Sequence, residues 1–261
     1  EPIKVKKIVP RLHFGKKLNR IAAAVSLLLI VSGIGYYFFS SNKSLNRETI
    51  VQTYSTITGK SKFILPDGSE VWLNSHSKLE YKNLHADMRE VELKGEAFFK
   101  VQHDERPFIV KTSDIAVKVH GTQFNVSAYH ADEKSVVSLY EGSVSMHVLG
   151  DDSSNCYLKP GEEGSLDKKD KTIRVEKGDV EFAKMWTNEK VKLENKNLHE
   201  VCKYLSKWYN VKIIIDPALS DDQSYTFTLH DQSLEDIIRI MSNISSINYH
   251  FTEDNTLMIT L

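Results

Sequence analysis

The sequence predicts a three-part fold: a single transmembrane helix, a β-rich module and a small α+β domain built from two βαβ repeats. Three observations lead to this prediction. Residues 21–39 carry no charge, residues 50–175 alternate between polar and apolar side chains, and residues 193–251 contain the same pattern twice. These are the patterns of a membrane span, of half-buried strands and of a repeated strand-helix-strand unit.

The composition is that of a folded protein with little net charge. Of its 261 residues 41 % are hydrophobic, which is enough to form real cores. The 34 basic and 35 acidic residues nearly cancel, so there is no electrostatic case for direct binding of nucleic acid. The two cysteines, Cys156 and Cys202, permit a disulfide but do not require one. Cys202 lies in an apolar helical pattern, which favours a small core residue.

The apolar run at residues 21–39 has almost the roughly 20 residues that a helix needs to cross a hydrocarbon core. Basic residues are concentrated before it, with Glu1 the only acid. The positive-inside bias therefore predicts a cytoplasmic basic segment at 1–20, a transmembrane helix at 21–39 and a juxtamembrane linker at 40–49. A cleaved signal peptide or a buried core helix are the alternatives, but the run is long for a signal peptide and ends in bulky aromatic residues.

The β-rich module is predicted at residues 50–176, where short alternating runs are separated by turn dipeptides. Residues 63–81, FILPDGSEVWLNSHSKLEY, are typical of this pattern. Asp67-Gly68 has hairpin-turn chemistry, because glycine accepts a positive φ at no steric cost. Asn74-Ser75 suggests a second small turn, so the stretch predicts two successive hairpins.

After a linker at residues 177–190 the chain repeats itself. Residues 193–215 align without gaps on residues 229–251. Each unit has the pattern of a strand, a helix and a strand, and a final strand follows the second unit. The sequence therefore predicts a C-terminal βαβ-repeat domain at residues 191–261.

The two predicted helices of this domain begin in the same way. Asn197 with Glu200, and Ser233 with Asp236, occupy the cap and third positions of a capping-box arrangement. Apolar residues then recur at i, i+3, i+4 and i+7, which indicates a core face. The members of this stripe are Leu198, Val201, Cys202 and Leu205 in one helix, and Leu234, Ile237, Ile238 and Met241 in the other.

The sequence offers little sign of enzyme chemistry. None of its ten histidines has the spacing of a metal site on one element. We find no nucleophile elbow, phosphate loop or dinucleotide fingerprint. The prediction is therefore a protein without a metal site, a cofactor or metabolic catalysis.

One dipeptide, Gly121-Thr122, is a candidate for self-cleavage. A threonine hydroxyl can attack the carbonyl of the preceding residue and shift the acyl group from nitrogen to oxygen when the peptide is strained. The alternative is a bend or bulge within the β-module, where glycine is equally suitable. The sequence leaves both interpretations open.

The β-module and the C-terminal domain resemble the FecR-type transmembrane anti-sigma regulators, in the form common among Bacteroidetes. The similar segments follow one another in the family's order: LPDGSEVWLNSHSKLEY, REVELKGEAFFKV, RPFIVKTSDIAVKVHGTQFNVSAY, VSLYEGSVSM, LKPGEEG and LSKWYNVKIII. The resemblance covers residues 50–261. It implies that the β-module is solenoid-like and that the C-terminal domain is similar to the secretin and TonB short N-terminal (STN) domain.

The same resemblance implies an inner-membrane signal transducer with a cytoplasmic N-terminus and periplasmic C-terminal domains. Its C-terminal domain would bind the signalling domain of an outer-membrane TonB-dependent transporter. On the cytoplasmic side the regulator would act on an extracytoplasmic-function sigma factor. Only residues 1–20 precede the predicted span, so no residue is assigned to sigma-factor binding. Gly121-Thr122 matches the position at which some relatives are self-processed.

A different class of function stays open from the residues themselves: a membrane-tethered periplasmic receptor for a small ligand or glycan. Aromatic side chains that converge on a cleft between the two outer domains would favour it. Trp72, Trp186 and Trp208 lie in strand, linker and helix-end contexts. In such contexts core packing is the expected use.

Overall fold

The computed structural model describes residues 16–42, 51–82, 87–220 and 222–261. The chain divides into two compact units, Glu1–Glu48 and Thr49–Leu261. In the first unit the helix α1 (Lys16–Asn42) covers 27 residues. Its side chains from residue 24 to residue 37 are exposed.

The transmembrane helix in the predicted fold class is wrong. Within the described ranges, no helix is both long enough and apolar enough to cross a membrane. Polar residues take up both ends of α1, since it begins with Lys16 and Lys17 and ends with two serines and Asn42. The predicted basic segment 1–20 and linker 40–49 fall mostly outside the described residues.

The second unit begins with a β-rich domain. The strands that the structure describes there are β1 (Val51–Thr56), β2 (Ser61–Ile64), β3 (Glu70–Leu73), β4 (Ser77–Lys82), β5 (Arg89–Lys100), β6 (Phe108–Lys111), β7 (Ile115–Val119), β8 (Gln123–Ala128), β9 (Lys134–Glu141), β10 (Val144–Val148), β11 (Asp151–Leu158), β12 (Glu162–Asp167) and β13 (Ile173–Lys177).

The long strand β5 joins two layers of this domain. Its residues 89–94 pair with β4 and β6, whereas residues 95–100 pair with β3 and β8. One layer therefore has the order β1-β4-β5-β6-β7-β10-β11, and the other has the order β2-β3-β5-β8-β9-β12-β13. The change of layer falls at Gly95, which has a φ of 96°. A Cβ there would lie 2.2 Å from Ser77 Oγ, so only glycine fits.

Side chains from both layers form one hydrophobic core. Phe99 of β5 stacks on Phe124 of β8 with ring centroids 5.1 Å apart. Leu79 and Phe108 of the first layer and Leu139 of the second are also fully buried. The alternation seen in the sequence thus places every second side chain of these strands between the layers.

The solenoid-like character predicted for this domain is also wrong. Stacked coils would require parallel neighbours throughout, but the pairs in the described sheet are antiparallel except β5 with β6. The Asp67-Gly68 hairpin is confirmed, because it joins the antiparallel strands β2 and β3 and Gly68 has a φ of 84°. The second predicted hairpin is not formed: residues 74–76 carry the chain from one layer to the other, so β3 and β4 do not pair.

An ion pair is buried beside the Asp67-Gly68 turn. Arg89 Nη1 lies 2.9 Å from Asp67 Oδ2, and the two side chains are 1 % and 2 % exposed. The guanidinium also donates to the carbonyl oxygens of Gln102 and Arg106, both at 2.9 Å. This network fixes the start of β5 against the hairpin and against the loop that follows β5.

The C-terminal part of the second unit begins with a short helix and a 3₁₀ turn. Its elements are α2 (Val180–Lys184), the 3₁₀ turn Met185–Thr187, β14 (Val191–Lys196), α3 (Leu198–Tyr209), β15 (Ile213–Ile215), β16 (Tyr225–Leu229), α4 (Leu234–Ile244), β17 (Asn248–Phe251) and β18 (Leu257–Thr260).

The repeat order is present, but the strands do not pair as two βαβ units. β14 pairs with β16, so the first strands of the two repeats form one antiparallel sheet. β15 and β17 both pair with β18 in a second sheet. The predicted fold class is corrected here as well, because each helix connects two different sheets instead of crossing over between strands of one.

The helix starts and the core face are as the sequence predicts. Asn197 and Glu200 form a full capping box, and the Ser233 hydroxyl accepts a hydrogen bond of 3.1 Å from the backbone nitrogen of Asp236. Leu205 is fully buried and Cys202 is buried, which confirms Cys202 as a core residue. The two helices therefore pack on the sheets through the predicted apolar stripe.

Candidate functional site

The structure contains no cluster that suggests metal chemistry. In the part of the chain that it describes, no group of three or more His, Cys, Asp or Glu side chains could hold a metal ion. The functional candidates are therefore the Gly121-Thr122 dipeptide and the surfaces that could bind another protein.

Gly121 and Thr122 lie where the chain passes from β7 in one layer to β8 in the other. Thr122 is buried, and its hydroxyl donates a hydrogen bond of 3.0 Å to the carbonyl oxygen of Ser143. Gly121 is not among the residues with positive φ. A Cβ on Gly121 would instead lie 2.7 Å from His103 Nδ1, so the glycine is needed for close approach. Thus the proton of the threonine hydroxyl is donated to Ser143 in this structure.

An apolar groove runs between β16 and α4 in the C-terminal domain. β16 pairs on one side with β14, and its other edge has no partner strand among the described residues. Ile240 and Ile244, one turn apart on α4, are 57 % and 67 % exposed. The groove has a volume of about 200 Å³ and is lined by Ser224, Tyr225, Thr226, Phe227, Thr228, Gln232, Ile237, Ile240, Met241 and Ile244. An open strand edge beside exposed apolar side chains is the geometry that accepts an added strand.

The C-terminal end of α3 rests on the β-rich domain. Lys207 of α3 forms an ion pair with Glu96 of β5. Lys60, from the turn that connects β1 to β2, donates to the carbonyl oxygen of Trp186 at 2.8 Å and lies 3.8 Å from the centroid of the Trp208 ring. Burial lowers the pKa of Lys60, although the carboxylates of Asp231 and Glu189 oppose this shift.

A cleft of about 360 Å³ lies at this contact, with Trp208 and Tyr209 in its lining. Burial raises the pKa of Tyr209 to about 12, and the Asp236 carboxylate contributes in the same direction. The aromatic side chains do not converge here as a glycan site would require: Trp186 is fully buried, and Trp72 packs edge-on against Phe98. The face of Trp208 is covered by the Lys60 ammonium, so nothing in this cleft favours the ligand-receptor alternative.

The sequence predicts partner binding by the C-terminal domain, but it does not identify Ile240, Ile244 or the Glu96–Lys207 contact. Ile240 and Ile244 are four residues apart on α4 and lie outside the core stripe. This second apolar pair is a sequence pattern from which an exposed apolar surface could be predicted. The pairing of Glu96 with Lys207 had no sequence signal, because the two residues are 111 positions apart.

Comparison with known proteins assigns both domains. Residues 52–145 match the family described as FecR protein, and residues 190–259 match the family described as FecR, C-terminal. Two crystal structures of a candidate anti-sigma factor from Parabacteroides distasonis ATCC 8503, at 2.50 Å and 1.65 Å resolution, are similar to this chain, with TM-scores of 0.58 and 0.57. Each is 30 % identical and covers 80 % of this chain and 98 % of its own. No curated protein gives a significant match.

The comparisons place this chain, with its two-layered β-rich domain and small α+β domain, among regulatory proteins. The chain belongs to the FecR family of anti-sigma factors. The resemblance seen in the sequence is thereby confirmed, and a sigma factor is the partner that the family implies.

Proposed function

We propose that this anti-sigma factor relays the state of an outer-membrane TonB-dependent transporter to an extracytoplasmic-function sigma factor. Family membership supports the sigma-factor end of this relay. Binding to the transporter is supported by the open edge of β16, which lies beside the apolar groove between β16 and α4.

We further propose that residues 51–261 work in the periplasm at the inner membrane, where the signalling domain of a transporter can reach them. This location is supported by the resemblance to FecR-type regulators. The sigma factor is cytoplasmic in such systems, and we assign its binding to no described residue.

In the proposed complex, a strand from the transporter's signalling domain adds to β16. The β14–β16 sheet has two strands, and a sheet of three or more strands is more stable in water. Backbone hydrogen bonds would supply affinity, and alternate side chains of the added strand would enter the groove beside Ile240 and Ile244.

Replacing Ile240 and Ile244 by Asp is expected to weaken transporter binding by at least about tenfold, since the complex would bury unpaired charges. The measurement is a calorimetric titration of the full chain with the isolated signalling domain of a TonB-dependent transporter from the same organism. Ile64→Asp is the matched control, because Ile64 on β2 is 65 % exposed against 67 % for Ile244. Unchanged affinity in the double variant, or equal losses in variant and control, would argue against this surface.

For Gly121-Thr122 we propose a structural bend, and self-cleavage is the alternative that the same experiments test. We expect the full chain to keep a single intact mass after days at neutral pH, because the Thr122 hydroxyl donates to Ser143. Gly121→Ala is expected to lower the free energy of unfolding by about 1 to 3 kcal/mol through the clash with His103. A fragment that begins at Thr122, is lost in Thr122→Ala and forms faster in hydroxylamine would instead establish cleavage.

A further inference from the structure

Glu96 is a buried carboxylate at the point where β5 changes layer. Its side chain is 2 % exposed. The β-rich domain gives it two neutral donors: Asn74 Nδ2 at 2.8 Å from Oε2, and Asn125 Nδ2 at 2.7 Å from Oε1. A carboxylate in such a place needs a positive charge, because amide donors alone do not compensate for the lost hydration of an ion.

The positive charge comes from the other domain. Lys207 Nζ, in the last turn of α3, donates to Glu96 Oε1, and the lysine side chain is 20 % exposed. Among the described residues, no other basic group lies within ion-pair distance of Glu96. In the docked structure, the cation that pairs with the buried Glu96 carboxylate therefore comes from the C-terminal domain.

Further contacts surround this pair. Asn210 ends α3 in the left-handed conformation, and the Ser77 hydroxyl donates a hydrogen bond of 3.3 Å to the Tyr129 hydroxyl. The Tyr129 hydroxyl in turn donates to the carbonyl oxygen of Ser75 at 3.0 Å. Burial raises the pKa of Tyr129, and the Glu96 carboxylate adds to this effect. On the other side, Lys60 holds the linker through the carbonyl oxygens of Trp186 and Asn188.

We infer that the Glu96–Lys207 pair is an interdomain latch that holds the C-terminal domain against the β-rich domain. Loss of the Lys207 charge in the docked arrangement would leave the buried Glu96 carboxylate with only its two neutral amide donors, which costs free energy and favours undocking. The docked arrangement is therefore specified by charge as well as by shape. A partner that pulls on the C-terminal domain would act on the β-rich domain through this contact.

The latch is tested in the full chain by hydrogen–deuterium exchange, without any partner. In Lys207→Met we expect the linker amides of Met185 and Trp186 to exchange at least about tenfold faster, because both residues are buried in the docked arrangement and undocking exposes them. In the double variant Glu96→Gln, Lys207→Met the rate should return to within about threefold of the parent, because no buried charge is left unpaired. The central amides of β8 and β9 report whether the β-rich domain stays folded.

Lys192→Met is the matched control, because Lys192 pairs with Glu194 on the surface of the same domain, with side chains 64 % and 63 % exposed. It should leave the exchange of the linker unchanged. Unaltered linker exchange in Lys207→Met would overturn the latch. Equal exchange in the single and double variants would also overturn it, because the effect would then come from lost packing and not from a stranded charge. Neither readout depends on the identity of the transporter or the sigma factor, so the latch can fail while the proposed function stands.

Discussion

Replacing Arg89 by Met is expected to lower the free energy of unfolding by about 3 to 5 kcal/mol. The methionine has similar length, so little volume is lost, but Asp67 would keep a buried negative charge without its cation. The carbonyl oxygens of Gln102 and Arg106 would lose their donors in the same change. Urea unfolding of the full chain, followed by circular dichroism, measures the loss.

The chain offers a matched control for this prediction in Arg106. Its side chain is 44 % exposed and pairs with Asp104 at 2.6 Å. Exposed pairs contribute about 0 to 1 kcal/mol, so Arg106→Met should be almost neutral. The double variant Asp67→Asn, Arg89→Met should recover part of the lost free energy of unfolding, because no buried charge is then left without a partner. Similar losses from the two arginine variants would show that the Asp67–Arg89 pair does not organise the hairpin.

Leu205→Ala is expected to destabilise the C-terminal domain by about 2 to 5 kcal/mol. Leu205 is fully buried at the centre of the face that α3 turns toward the two small sheets. Truncation removes its apolar contacts and leaves a cavity, since the neighbouring helix α4 and the sheets can close only part of the space.

The measurement is denaturant unfolding with tryptophan fluorescence, because Trp208 belongs to the same core as Leu205. Leu261→Ala is the control: Leu261 is 64 % exposed, and its truncation should change the stability by less than about 0.5 kcal/mol. A loss below that value in Leu205→Ala would mean that the apolar stripe of α3 is not the core face.

The parts of the fold that the sequence predicts are those decided by local chemistry. The caps at Asn197 and Ser233 depend on donors within three residues, and both were predicted. The Asp67-Gly68 hairpin is also local, because backbone hydrogen bonds between residues 65 and 69 close the turn and Gly68 supplies the positive φ that it needs. Residues 74–76 have equally good turn chemistry, yet they connect two layers, because strand pairing is decided by residues distant in the sequence.

The non-local parts were wrong for the same reason. The repeat at 193–215 and 229–251 correctly gives the order of elements, but which strands pair depends on packing between the two units. That choice joins β14 to β16 and leaves the edge of β16 open. Likewise, Glu96 and Lys207 resemble ordinary surface charges in sequence. Only the folded chain shows that Glu96 is buried and that its cation belongs to another domain.

Transcription from a promoter that depends on the sigma factor bound by this chain is the most direct test of the relay. We expect the transporter's substrate to change this transcription in cells with the parent chain. The change should disappear in cells that lack the gene and in cells that carry Ile240→Asp, Ile244→Asp at normal protein levels, while Ile64→Asp should preserve it. An unaltered substrate response in cells without the gene would contradict the proposed function.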